Sequence, residues 1–247
     1  MNKQIKTILL IAAALSVLSA VSVSLLYSGV IHINNPEFSG YKVKGVDVSS
    51  FQGDIDWKVL SSQDIDFAYI KATEGSSTVD RCFKENWNNA SETSLRIGAY
   101  HFFSFESSGK TQAELFCNTV EPVDNMLPPV IDVEFYGRFH SASDINVSAV
   151  KNELRAMIDQ LTEHYGIKPV IYVSRESYDG IIGDDFSDCD LWYRSVYSGI
   201  LGNIDWTFWQ YSNRHRLQGY DGTEKYIDMN VFRGSADELR KYGECSG

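Results

Sequence analysis

The 247-residue sequence predicts an α/β fold: an irregular TIM-like (β/α) barrel of eight strands, with fewer helices in its C-terminal part and one hydrophobic helix in front. Three observations predict it. Short apolar, β-branched runs alternate with amphipathic segments through the first five strands, the order that builds a parallel sheet. The strand-like runs number eight, enough to close a barrel. Beyond the fifth strand the helical segments thin out, so an irregular second half is expected.

The elements follow in order. Val46-Asp47-Val48 reads as a short first strand, and a helix entered at Asp54 runs from Ile55 to Gln63. Phe67 to Lys71 is the second strand, and Asp80 to Glu92 a helix with Phe83 and Trp87 on one face. Leu95 to Phe103 is the third strand and Thr111 to Val120 the next helix. Pro129 to Glu134 is the fourth strand, with proline at its mouth, where a missing N–H is tolerated. Asp144 is expected to cap a helix reaching Tyr165, whose stripe is Val150, Leu154, Met157, Ile158 and Leu161, with Gly166 as its stop. Pro169 to Ser174, Leu191 to Ser195, Trp206 to Tyr211 and Tyr226 to Phe232 complete the strands, and a helix from Ala236 to Tyr242 ends the fold. These elements form one domain, residues 44–243, since no linker interrupts them. Asn34-Asn35-Pro36 and Ser39-Gly40 mark 32–43 as a linker, and 244–247 is a short tail.

The N-terminus, residues 1–31, is a signal peptide or a signal-anchor transmembrane helix. Lys3 and Lys6 precede an uncharged stretch from Thr7 to Ile31, longer than the roughly 20 residues a bilayer core requires. Lysines ahead of the run place the bulk of the chain outside. Ala20-Val21-Ser22 offers a small-x-small cleavage site, while the length of the run favours an uncleaved anchor. The chain is exported in either case, anchored with its domain outside or secreted after cleavage near Ser22.

A formal net charge of −11 argues against nucleic acid or an anionic surface as an electrostatically steered partner, and leaves neutral polysaccharide open. Fourteen Tyr and five Trp suit sugar faces and a large core equally. None of the four cysteines forms a CxxC pair, so no zinc site, and no other metal or cofactor, is expected. Cys82 and Cys117 both fall on expected helices, where a disulfide permitted by export and buried free thiols are both open; Cys189 ends a loop and Cys245 lies in the tail. A monomer is expected.

In barrels of this kind the active site lies at the C-terminal ends of the strands. Those ends carry Asp47, then Lys71, Tyr100-His101-Phe102, the pair Asp132 and Glu134, Tyr172, Trp209-Gln210-Tyr211, and finally Asp228 and Asn230. In Asp132-Val133-Glu134 the two acids point the same way, because side chains alternate along a strand. Like charges at this range push one pKa up and leave the other group ionised, a division that suits glycoside cleavage. Solvated strand-end acids or a cation site are the alternative readings of the pair alone. Acids from three separated strands, converging with aromatics on one mouth, favour a glycosidase.

Several neighbours have plainer readings. Lys71 and Glu74 pair with each other, His101 is either a satisfied core histidine or a site residue, Trp57 anchors a helix, and Asp221 and Glu224 are solvated. Only one side of Trp209-Gln210-Tyr211 can face the site. No HExxH or phosphate-cradling glycine loop occurs, and Ser49 and Ser50 have no histidine nearby in sequence.

With these residues in view, the chain resembles glycoside hydrolase family 25, the lysozymes (N-acetylmuramidases) of bacteria, phages and some fungi. The resemblance spans about Gly45 to Phe232. It rests on six segments in order: Gly45 to Gly53 with Ile55-Asp56-Trp57, Phe67 to Gly75, Gly98 to Phe102, Pro129 to Glu134, Phe208 to Tyr211, and Asp228 to Phe232. It implies an irregular barrel and cleavage of the β-1,4 bond between N-acetylmuramic acid and N-acetylglucosamine in peptidoglycan glycan strands. By the same resemblance Glu134 is the general acid, Asp132 a helper for the substrate's 2-acetamido group, and Asp47 and Asp228 the other acidic positions. Tyr100, Tyr172, Gln210 and Trp209 are expected to bind substrate. Leu191-Trp192-Tyr193-Arg194-Ser195 departs from the Leu-Trp-Ile-Ala-like strand common in the family, and Arg194 either puts a cation near the groove or points away.

Neighbours on one strand face lie about 6.6–6.8 Å apart at Cα. Direct-nucleophile enzymes need carboxyls about 5–5.5 Å apart and inverting ones about 6.5–9.5 Å, so spacing alone does not choose. An acid-x-acid pair with an N-acetylated substrate favours acetamido participation with net retention. A chitinase-like hydrolase or a non-catalytic wall-binding protein are the rival functions.

Overall fold

The computed structural model describes residues 2–124 and 126–244. Helix α1 (Lys3–Tyr27) leads into the domain, whose elements are β1 (Val43–Val48), α2 (Trp57–Ser61), β2 (Phe67–Glu74), β3 (Thr78–Val79), α3 (Phe83–Ser91), β4 (Arg96–Phe102) and α4 (Gly109–Thr119). They continue with β5 (Val130–Val133), α5 (Val147–Tyr165), β6 (Val170–Val173), the single turn α6 (Arg175–Ser177), β7 (Leu191–Arg194), β8 (Phe208–His215), β9 (Ile227–Phe232) and α7 (Ala236–Lys241). Eight strands close a ring in the order β1, β2, β4, β5, β6, β7, β8, β9 and back to β1, and β3 only adds a two-residue hairpin to β2. The expected eight-stranded, irregular barrel is therefore present, with the long helices α3, α4 and α5 all in its first half.

One strand departs from the parallel sheet that βα alternation predicts. β9 runs antiparallel to both β8 and β1. A parallel return requires a crossover of a dozen or more residues, usually helical. Residues 216–226 hold no helix, so the chain turns directly back. The reversal moves the N-terminal end of β9 to the face where the other strands have their C-terminal ends.

Local chemistry sets the helix ends. The Asp56 carboxylate accepts from the Lys58 and Val59 amides at 3.1 Å each, so α2 starts after Asp56 rather than at Ile55, which instead bridges to Tyr220. Asn146, not Asp144, caps α5 by accepting from the Ala149 amide; Asp144 closes a short 3₁₀ turn ahead of it. Gly166 stops α5 at φ 72°, a left-handed position that glycine adopts without steric cost.

The core has two layers. Inside the ring, Phe67, Tyr69, Trp192, Phe208 and Phe232 pack edge-on or tilted against one another and fill the lower barrel. Leu239 of α7 and the adjoining Tyr242 pack against them from below. Arg96 locks this floor by donating to the carbonyls of Leu239, Tyr242 and Met126. The second layer lies between strands and helices, where the α5 stripe Val150, Leu154, Met157, Ile158 and Leu161 meets Ile131 and Val133.

Segment 32–43, expected as a linker, is a strap fixed to the barrel wall, and its last residue, Val43, already opens β1. The Asn34 side chain donates to the carbonyls of Ser195 and Tyr211 at 2.8 and 2.9 Å. The His32 ring stacks on His215 at 3.6 Å, and Tyr41 packs edge-on against Trp206. A side-chain amide reaching two backbone carbonyls across more than 160 residues leaves no local sequence signal. Cys82 and Cys117 are both free thiols, so the disulfide open to them is not formed; Cys189 is free and buried, and Cys245 lies outside the described residues.

Candidate active site

The C-terminal ends of the parallel strands surround a cavity of about 450 Å³. Asp47, Asp132, Glu134 and Asp228 all line it. Asp132 sits in β5 and Glu134 one residue past its end, so alternation turns both side chains inward while Val133 packs outward among the helices. Asp47 lies opposite Asp228 in the antiparallel β1–β9 register, which puts these two acids side by side on the opposite wall. The reversal of β9 makes this possible. In a parallel eighth strand, the second residue would lie at the floor.

A chain of hydrogen bonds orders that wall. Tyr172 Oη donates to Gln210 Oε1 at 2.9 Å, and Gln210 Nε2 donates to Asp47 Oδ2 at 2.9 Å. Asn230 Nδ2 donates to the same oxygen at 2.8 Å, and Asn230 Oδ1 accepts from Trp192 Nε1 at 2.8 Å. Gln210 faces Asn230 and Arg194 in register across β8–β9 and β7–β8, while Tyr172 pairs with Trp192 and Asp47 with Asp228, so the network ties successive levels of inward positions together. The other wall is different: Asp132 Oδ1 is buried and receives no hydrogen bond from the described protein. A buried acceptor left unmet costs about 1–3 kcal/mol, which a donor arriving with a ligand recovers.

The electrostatics follow from burial. Desolvation raises the pKa of all four acids. For Asp132 the rise is large, with Glu134 adding to it and Lys71 opposing. Glu134 is raised by burial and opposed by Arg194. Asp228 is raised strongly by burial and by Asp47, while Asp47 is held back by its two amide donors and by Arg194. The cluster therefore keeps protons to a higher pH than ordinary carboxyls, and titrates as coupled sites. Among the described residues, no group of three or more His, Cys, Asp or Glu is placed to hold a metal.

The family model of glycosyl hydrolases family 25 matches residues 46–220, well over half of the chain. This chain belongs to glycosyl hydrolases family 25. Its fold and sequence are close to those of a family 25 glycosyl hydrolase from Bacillus anthracis, with 50% identity and a TM-score of 0.79 over 87% of this chain and 98% of that one. The bacterial lysozyme from Streptomyces coelicolor is 29% identical, with a TM-score of 0.74 over 83% of this chain and 98% of that one. Lysozyme M1 of Streptomyces globisporus is 33% identical over 80% of this chain and 70% of that protein. The family match ends before β9, so Asp228 and Asn230 join this family 25 site through the register of the last strand.

Of the eight residues expected at the site, seven line the cavity: Asp47, Tyr100, Asp132, Glu134, Tyr172, Gln210 and Asp228. Trp209 does not. Gln210 points inward, so alternation turns Trp209 out, where its indole donates to the Ser195 carbonyl and packs on Trp206 and Tyr211. Trp192 takes its place inside; the run Leu191-Trp192-Tyr193-Arg194 marks it only if Arg194 is first assigned to the cavity. Arg194 does line the cavity, half-buried, and its guanidinium donates no hydrogen bond within the described protein. Lys71 lines it too, but is tied to Glu74 at 2.7 Å. His101 is a satisfied core histidine: its ring bridges Thr73 and Gln112, and burial lowers its pKa to about 4. Trp57 anchors its helix through Asn86, and Glu224, expected to be solvated, stands exposed on the cavity rim.

Proposed function

We propose that this family 25 hydrolase is a muramidase that cleaves the β-1,4 bond between N-acetylmuramic acid and N-acetylglucosamine in peptidoglycan. The observation that carries the reading is the pair at the end of β5. Glu134 has its pKa raised by burial, and beside it Asp132 presents a buried oxygen with no donor from the protein.

Glu134, protonated, gives its proton to the glycosidic oxygen as the bond to C1 breaks. The acetamido N–H of the muramic acid residue donates to Asp132 Oδ1. This orients the acetamido carbonyl oxygen to bond with C1 and leaves the pair's shared proton on Glu134. Water then attacks C1, Glu134 takes its proton, and the oxazolinium ring opens with net retention. Asp47, whose charged form Gln210 and Asn230 hold by hydrogen bonding, supplies negative charge beneath the cationic ring, with Asp228 beside it. Tyr100 and Tyr172 flank the sugar. The chain is exported, and α1, uncharged throughout after Lys6, is an uncleaved anchor.

Mass spectrometry of muropeptides released from purified sacculi tests this, with chitin digested in parallel. Muramic acid at the new reducing ends is the expected product. N-acetylglucosamine at those ends, or efficient release from chitin, overturns the bond assignment. NMR of the first-formed product should show the β-anomer.

A further inference from the structure

The anchor helix is rooted on the rim of the catalytic mouth. Not one residue of α1 is buried, so the helix leaves the domain as a free rod. Only its end touches the barrel. Tyr226 Oη donates to the Tyr27 carbonyl at 3.3 Å, and Arg216 Nη2 to the Ser28 carbonyl at 3.5 Å. The Arg214 guanidinium lies over both the Tyr27 and Tyr226 rings, at 4.7 and 5.1 Å. Gly29, at φ 67°, lies so close that a Cβ would sit 2.1 Å from the Arg214 carbonyl oxygen. Arg214 sits at the C-terminal end of β8, Arg216 just past it and Tyr226 just before β9, and all three are at the mouth because β9 is reversed.

The root is built for an interface. At 1.5 Å per residue, α1 measures about 37 Å, enough to cross a hydrocarbon core of about 30 Å and bring Tyr27 to the outer headgroup level. Lys3 and Lys6 mark its inner end. Arg214 over Tyr27, and Arg216 and Lys225 over the adjoining Tyr226, make a basic cluster on a chain whose net charge is −11, with Glu224 the acid beside them. Beyond it the β7–β8 loop holds Tyr197 and Leu201 at 65% and 64% exposure. An apolar hollow of about 230 Å³, lined by Val23, Leu26 and Ile31 from the anchor side and Val196 and Tyr197 from the loop, joins helix to loop.

We propose that the β7–β8–β9 side of the catalytic rim rests on the outer membrane leaflet. Arg216 and Lys225 take anionic phospholipid headgroups there, Tyr197 and Leu201 enter the interface, and the β2–β4–β5 side stays open to glycan lying next to the bilayer. The inference rests on the anchor reading of α1. It fixes where the enzyme cuts: the tether is too short and too firmly docked to let the mouth turn toward distant wall layers.

The test uses the full-length protein in liposomes containing phosphatidylglycerol, with photoreactive phospholipids carrying the diazirine in the headgroup or in the acyl tail. Cross-links are mapped by mass spectrometry. The tail probe should label α1. The headgroup probe should label peptides covering 196–201 and 214–226 and spare 235–244 at the floor. The double variant Arg216→Glu, Lys225→Glu should lose headgroup labelling of those loops by about fivefold or more per charge removed, with hydrolysis of soluble glycan fragments unchanged. Labelled α1 with unlabelled loops, or labelling centred on the floor, overturns the proposal while leaving the anchor in place. An unlabelled α1 refutes the anchor and the proposal with it. Muropeptide composition reads the muramidase assignment separately.

Discussion

Arg96 at the floor of the barrel and Arg194 at its mouth are used in opposite ways. Arg96 at the floor spends its donors on three backbone carbonyls and sews α7 to the ring. The Arg194 guanidinium at the mouth donates no hydrogen bond within the described protein and acts on three carboxyls whose pKa values burial raises, Asp47, Glu134 and Asp228. The floor is apolar, aromatic and satisfied; the mouth is charged and holds an orphan acceptor at Asp132. Stability is concentrated at one end and reactivity at the other, as expected where a site keeps polar groups ready for a ligand.

Breaking the mouth should leave the floor intact. Glu134→Gln is expected to cut turnover by about 10²- to 10⁴-fold, the worth of a general acid, with an unchanged circular dichroism spectrum and a melting temperature no lower than that of the parent; reducing ends released from sacculi give the rate. Breaking the floor should do the reverse. Arg96→Met leaves buried carbonyls unmet, and a loss of about 3 kcal/mol is expected, read as an earlier denaturation midpoint with kcat of the folded fraction preserved.

Asp132→Asn should sharpen the contrast by moving the two properties in opposite directions. Because burial and Glu134 raise the Asp132 pKa, its contribution to stability is full below the unfolded pKa and is lost as pH rises through the folded one. At neutral pH the uncharged amide should therefore melt higher, by roughly 2–4 °C for each 1 kcal/mol relieved, while hydrolysis falls. Differential scanning calorimetry and product assays report both. Arg194→Met is the smallest change. Arg194 holds the Glu134 pKa down, so its loss should raise it further and move the alkaline limb of the pH–rate profile to higher pH. A limb that stayed in place or moved down would remove Arg194 from this role.

Much of this contrast was legible in the sequence. Alternation of apolar runs revealed all eight barrel strands, and acids at strand ends revealed Asp47, Asp132, Glu134 and Asp228. Strand direction was not legible, because a period of two is the same read either way; only the missing helix in 216–226 hinted that β9 turns back. Inward and outward positions within fully buried strands were equally hidden. Phe208 to Tyr211 is buried at every position, so nothing in residue type separates Gln210 from Trp209. The strap was lost to a different cause: its Asn34 amide is read locally as a turn residue, while its partners are Ser195 and Tyr211.

The closure of the ring has a further consequence for how the chain is made. β1 pairs with β9, so Val43 meets Phe232 across nearly the whole domain. Local βα units can collapse early, but the last seam waits for one of the last strands synthesised, a contact of high sequence separation and slow to form. Until residue 232 arrives, β1 and β8 each present a free edge, the surface on which chains pair wrongly with one another. A chain cut before Ile227 would keep both edges for good, and aggregation rather than loss of chemistry would be its first defect.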